Sequence, residues 1–322
     1  MLLSIKETQQ LIESGKTLYL AGEEKLLKEL PKGNWIGGTI PYFMDINGGT
    51  LTQEMIFVVE QPPYVEESII KWYDETNLEK MVSDSPENGY SIVIIPATSN
   101  VHSKYAQEAP DMENIFYKQI IGWISGVHLD DLGRLTPKVF NGITGDFSAD
   151  QAIVLHAKLP QDKHASIGII NIFEQGDGDT ITFFQDGFSV QDCLVNGKKE
   201  NLAEYLVRKE ADVKFPLVAD YHGTMVNVSF QNINKEKKLV DLYAPVFKDV
   251  EYKLARPESH YIDEFNNRIP PDLTTAFSCN CILNFLYSEL QGKKTGVFTG
   301  PMTFGEIAYL LLNQTLVYLR IE

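Results

Sequence analysis

Three cysteines, six histidines and Glu306, which follows Gly305, are among the side chains here with the types to do chemistry. Cys279 and Cys281 stand two apart in Phe277-Ser278-Cys279-Asn280-Cys281. Two thiolates can hold a metal with His128 or His222, but zinc sites favour two to four residues between paired cysteines and need four ligands. No metal is expected on that ground. At the start of a helix Cys279 would have a lowered thiol pKa and could act as a nucleophile. No base or oxyanion site is visible from spacing, and the competing reading is a small buried hydrophobe. The histidines form no His-Glu-x-x-His grouping, which argues against a metallohydrolase. His156 lies inside an apolar strand pattern and reads as a satisfied core residue, whereas His222, in a turn, is the better candidate for a polar contact. Gly176-Asp177-Gly178-Asp179 lacks the terminal Glu of a calcium loop and reads as a hairpin turn. Neither a Gly-x-Gly-x-x-Gly nor a Gly-Lys-Ser/Thr signature is present, so no nucleotide cofactor is expected.

The elements that must position these residues centre on 274–307. The pattern predicts a strand over 275–279, a helix over 281–290 and a second strand over 295–298, running into the turn Thr299-Gly300-Pro301 and then Gly305-Glu306. A strand ending in glycines lets a backbone approach a ligand closely, because no Cβ intervenes. Glu306 either receives a ligand amine or hydroxyl, or caps a helix beginning at Ile307. A similar order occurs earlier: a strand over 17–21, a helix over 23–30 stopped by Pro31, and a strand over 34–40 broken by Gly37-Gly38. Two related halves would explain the recurrence. The expected site is a cleft where Gly37-Gly38-Thr39 approaches Gly300 and Gly305-Glu306. Ser278 and Cys279 lie at its base, Trp35, Phe298 and Phe304 form its walls, and Asn313 and Thr315 hold its shape.

Elsewhere the patterns predict a strand over 51–60, helices over 66–76, 77–82 and 114–121, and a strand over 91–95 apolar enough to be covered on both faces. A β-rich middle follows, with Asn141-Gly142 and Asn196-Gly197 as tight turns, a helix over 202–208 and another over 260–267. The fold class is mixed α/β: two β-rich halves with covering helices, pseudo-symmetric if the two β-α-β units are related. The compositional break nearest a boundary falls in 209–216.

At 322 residues the chain can bury a large core. Its net charge of −16 opposes binding to nucleic acid and to anionic lipid, both of which need clustered Lys and Arg. The N-terminus turns polar too soon for a signal peptide, and no apolar run reaches the ~20 residues of a membrane span. An odd, small number of cysteines suits a reducing compartment. A cytoplasmic protein is expected.

The runs Ala276 to Cys281, Gly296-Val297-Phe298, Gly305-Glu306-Ile307 and Asn313-Gln314-Thr315, in that order, resemble the C-terminal part of FIST proteins. These are bacterial sensory modules proposed to bind small ligands such as amino acids. Trp35-Ile36-Gly37-Gly38-Thr39 is similar to a loop of that family's N-terminal half, and 139–155 and 191–206 are similar to its middle. The resemblance implies an N-like half over 1–212 and a C-like half over 213–322, packed as one compact body. It implies a non-enzymatic protein that binds a small polar metabolite and signals through a partner protein. Where FIST members usually carry Gly-Arg after Phe-Ser-Cys, this chain has Cys281-Ile282, which puts an acidic ligand in doubt. Two other functions stay open from the residues: a hydrolase or transferase using Cys279, and a structural or partner-binding protein.

Overall fold

The computed structural model describes residues 1–221, 223–258 and 260–322. The fold is mixed α/β, with seven short α-helices among the described residues and strands in both parallel and antiparallel ladders. His222, singled out above for a polar contact, lies outside the described residues.

Contacts divide the chain into two units. The first comprises Met1–Ile170, Arg268–Leu311 and Leu316–Glu322; the second comprises Asn171–Asn267 and Leu312–Thr315. A division at 212/213 therefore runs through the second unit. The first unit is discontinuous because its strands pair over long sequence distances. Leu316–Ile321 lies between Ala165–Ile170 and Phe277–Cys281, antiparallel to both.

Three β-α-β segments occur in the first unit, each a parallel strand pair joined through a helix, as parallel pairing requires a crossover. Leu18–Gly22 pairs with Trp35–Thr39 through helix Glu24–Lys28. Gly89–Pro96 pairs with Ile120–Ser125 through helix Asn100–Glu108. Phe277–Cys281 pairs with Gly300–Thr303 through helix Ile282–Tyr287. The first and third are the two segments whose shared order is legible in the sequence. Every residue of Gly89–Pro96 is buried, as a strand covered on both faces must be. The second unit builds its core from strands such as Ile181–Phe183 and Leu217–Tyr221 and from helix Leu202–Arg208, with Cys193 fully buried among them.

Several local expectations are corrected. The stretch expected as a helix over 66–76 is the strand Glu67–Tyr73, paired along its length with Ala152–Lys158. Its β-branched and aromatic residues suit an edge strand, and Ile69 is exposed rather than on a buried helix face. The helix expected over 114–121 is a short 3₁₀ turn, Ile115–Tyr117, leading into strand Ile120–Ser125. The second strand of the opening segment lies at Gly300–Thr303, so Thr299-Gly300-Pro301 is not a turn, and 295–298 is irregular. No helix begins at Ile307; Glu306–Ala308 is a strand. Gly176 to Asp179 is not a hairpin turn either, since Ala165–Ile170 pairs with Leu316–Ile321 whereas Ile181–Phe183 pairs with Asp192–Val195. The tight turn at Asn196-Gly197 does close a hairpin, with both residues at positive φ.

Candidate functional site

Strand Phe277–Cys281 is buried at all five positions although it alternates apolar residues with Ser278 and Asn280. It can be buried because both its edges are paired: Leu316–Ile321 on one side, Gly300–Thr303 on the other. Gly300–Thr303 is in turn antiparallel to Tyr42–Asp45, with Gly300 opposite Met44 and Pro301 opposite Phe43. The stretch that follows Thr39 and Pro41 therefore runs beside Gly300 and Pro301. At Gly300 a Cβ would collide with the Ser278 carbonyl, so glycine there serves the close approach of two strands.

Around this seam the polar groups are buried and mostly paired. The Ser278 hydroxyl donates to the Thr299 carbonyl at 2.9 Å. Asn280 Oδ1 accepts from the Cys281 N–H at 2.7 Å and from Asn284 Nδ2 at 2.9 Å, which fixes the orientation of its amide. Asn280 Nδ2 and Thr295 Oγ1 have no hydrogen-bond partner, and both side chains are essentially sequestered, 3% and 0% exposed. Both line the same space, together with Met44, Phe298 and Gly300, and its free volume is about 0 Å³. A buried polar atom without a partner is costly, and native folds carry few.

Cys279 is 1% exposed and its thiol faces the Gly122 carbonyl at 3.2 Å. Burial pushes that thiol far above its usual range, and the Glu306 carboxylate and Cys281 push the same way. The strand places Cys279 before the helix rather than at its first turn, and Cys281 holds the N-cap position. A neutral thiol without solvent access is a poor nucleophile. Glu306 is fully buried, in register with Trp123, and accepts from Thr303 Oγ1 at 3.3 Å. That hydroxyl also lies within reach of the Gly305 and Asn280 carbonyls, and its single proton serves one of the three at a time.

The other expected site residues divide. The Thr39 carbonyl accepts from the Gly126 N–H at 2.7 Å, and the Phe304 ring occupies the space a side chain at Gly126 would need. The Gly305 carbonyl accepts from the Ile124 N–H at 2.8 Å. Thr39 and Gly305 thus bond the same strand end, two residues apart. Gly37 and Gly38 lie within strand Trp35–Thr39, and a Cβ at Gly38 would meet Ile94 at 2.7 Å and Trp123 Nε1 at 3.1 Å. Their lack of side chains accommodates the neighbouring sheet. Trp35 turns away into a separate apolar cluster with Leu18, Leu20 and Phe140, its Nε1 donating to the Pro31 carbonyl at 2.9 Å. Phe298 is buried against Tyr318. Asn313 belongs to the second unit, where Asn227 Nδ2 donates to its carbonyl at 3.0 Å.

Asn280, Thr295 and Thr303 were not singled out by sequence; for Asn280 the signal available was a polar residue inside an otherwise apolar strand, and Thr295, in irregular chain, offered none. Among the described residues no group of three or more His, Cys, Asp or Glu side chains is placed to hold a metal ion, and no helix is long and apolar enough to cross a membrane. The model of a protein family described as a family of unknown function (DUF6976) matches residues 3–322. No curated protein and no solved structure matches the chain.

Proposed function

The chain belongs to DUF6976, a family of unknown function, and we propose that it is a non-enzymatic binding protein for a small polar metabolite. One observation carries this reading: Asn280 Nδ2 and Thr295 Oγ1 are buried, unpartnered and lining the same tightly packed space. A ligand with hydrogen-bonding groups would satisfy both at once. With about 0 Å³ free, it enters only if a wall moves, and the irregular 295–299 segment is the wall with the least ladder bonding. Catalysis by Cys279 has less support, because its thiol is sequestered and held neutral. The relation to FIST sensory modules rests on the residue runs around 277–279, 296–298, 305–307 and 313–315, with 35–39, 139–155 and 191–206 similar to the rest of that family. Within this proposal the protein is cytoplasmic and passes the bound state to a signalling partner.

Thermal-shift screening of amino acids, other organic acids and nucleosides tests it. Binding to the folded state alone adds RT ln(1 + [L]/Kd), about 2.7 kcal/mol at a hundredfold excess over Kd. Gly300→Leu is a poor probe, because the side chain would meet the Ser278 carbonyl and break the seam. Thr295→Val is the better one. A ligand whose shift survives both Thr295→Val and Asn280→Ala binds elsewhere, and the reading of this pocket then fails.

A further inference from the structure

Away from that pocket a buried hydrogen-bonded chain crosses the sheet of Gly89–Pro96. Ser85 Oγ lies 2.8 Å from the Met81 carbonyl and 2.8 Å from Ser91 Oγ. Ser91 Oγ is 2.8 Å from His156 Nδ1, and His156 Nε2 is 2.8 Å from the Tyr73 hydroxyl. That hydroxyl is 2.7 Å from Asp84 Oδ2. Ser91 is fully buried, and Ser85 and His156 are each 5% exposed. Five links run between two groups that only accept, a carbonyl and a carboxylate. The three hydroxyls and a neutral imidazole supply four protons. The set closes completely only with a fifth.

With four protons, one link must be given up, and the geometry says which is cheapest. Both ends keep another partner, the Met81 carbonyl the Ser85 backbone N–H at 3.1 Å and Asp84 the Lys71 ammonium at 3.1 Å. A hydroxyl bond to a carboxylate, however, is charge-assisted and stronger than one to a carbonyl, so the Met81 link is the one given up. The order is then Ser85 donating to Ser91, Ser91 to Nδ1, Nε2–H to Tyr73 and Tyr73 to Asp84. The alternative tautomer, with the proton on Nδ1, sets Nε2 and the Tyr73 oxygen lone pair against lone pair, or strips Asp84 of its Tyr73 bond.

We propose that His156 is a buried proton-binding switch: neutral, it is the Nε2–H tautomer, and a proton taken from solvent on Nδ1 reverses the Ser91 and Ser85 hydroxyls. In the protonated state Nδ1–H donates to Ser91, Ser91 to Ser85, and Ser85 to the Met81 carbonyl. The ring's charge is thereby coupled to the bonding at the C-terminal cap of helix Lys80–Asp84. The charged and titratable groups facing the ring are Tyr73 from strand Glu67–Tyr73, Asp84 from the helix, and Lys71, whose Nζ is 3.1 Å from Asp84. Strand Gly89–Pro96 faces it with Ser91. Burial holds the ring's pKa down at about 4, opposed by Asp84 and reinforced by Lys71, so the neutral form prevails at neutral pH.

Nitrogen-resolved NMR of the histidine-labelled protein decides the matter. At pH 7.5 the His156 ring should carry its proton on Nε2. In Tyr73→Phe, Nε2 loses its acceptor and the proton should move to Nδ1, where Ser91 receives it. Asp84→Asn, which keeps Tyr73 in place, should lower the pH at which Nδ1 gains its proton, because the carboxylate favours the charged ring. An Nδ1–H ring in the wild type overturns the proposal, as does an unchanged tautomer in folded Tyr73→Phe. Should Tyr73→Phe not fold, an Asp84→Asn ring titrating at or above the wild-type pH overturns it.

Discussion

Thr295 and Asn280 make opposite predictions for the free and bound protein. In Thr295→Val the shape is nearly kept while a buried, unpartnered hydroxyl is removed, so the free protein should gain about 1–2 kcal/mol and melt higher. The same variant should weaken a ligand's affinity by roughly tenfold, one hydrogen bond's worth. Calorimetry of both forms checks the pair of signs. At Gly300 the sign is simple: Gly300→Ala forces a methyl into the Ser278 carbonyl and should cost at the upper end of the roughly 1–3 kcal/mol of overpacking. His156 gives a pH prediction. Its folded pKa of about 4 lies below the ordinary 6.5, so the folded state binds that proton less readily than the unfolded one. The stability it contributes is complete above about pH 6.5 and is lost as pH falls toward 4, about 3 kcal/mol in all. Denaturant titrations of the wild type and His156→Gln at the two ends of that window should show the wild type losing more stability than the variant by about this amount. At this scale the sequence was legible where a residue's own character decided its place. Cys279, read as a small buried hydrophobe or a nucleophile, is buried. It was illegible where the partner is remote: nothing local announces that Ser91, 65 residues from His156, faces it.

Periodicity separated elements well when both neighbours were apolar and poorly at edges. Gly89–Pro96 is evident from an unbroken apolar run. Glu67–Tyr73 is not, because Ile69-Ile70 and Trp72-Tyr73 fit helical spacing as well as an edge strand whose outer face is wet. The β-α-β order around 17–40 and 274–307 is readable because parallel strands demand a crossover helix. The strand at Gly300–Thr303 was missed because proline and glycine ordinarily punctuate. Here Gly300 faces Met44 in a ladder, and the missing N–H of Pro301 is tolerated beside Phe43. An element-scale prediction follows from the strand between Ala165–Ile170 and Phe277–Cys281. Replacing Val317 or Leu319, both fully buried, by Asp should unfold the first unit, whereas Asp at the more accessible Ile321 should be tolerated. Hydrogen exchange of the amides in 277–281 reads the difference.

For the molecule as a whole, the pattern of strands and helices pointed to the class, a mixed α/β fold, but composition did not mark the division into units. A compositional break marks where polarity changes, whereas a contact unit is defined by which strands find each other. Those partners here are separated by the entire second unit. The net charge of −16 sets the expectation that weak association with polyanions is absent; a heparin column run at low salt should not retain the protein.

The pairing of Ala165–Ile170 with Leu316–Ile321 has a bearing on biosynthesis. A ribosome delivers the first of these strands about 150 residues before the second, a wait on the order of ten seconds at ordinary elongation rates. Throughout that interval Ala165–Ile170 lacks the partner that joins it to Phe277–Cys281, and before the interval ends 171–267 has emerged and can collapse on its own strands. The nascent chain thus exposes unpaired, apolar edges late in translation. That is the window in which a holdase chaperone would have most to cover.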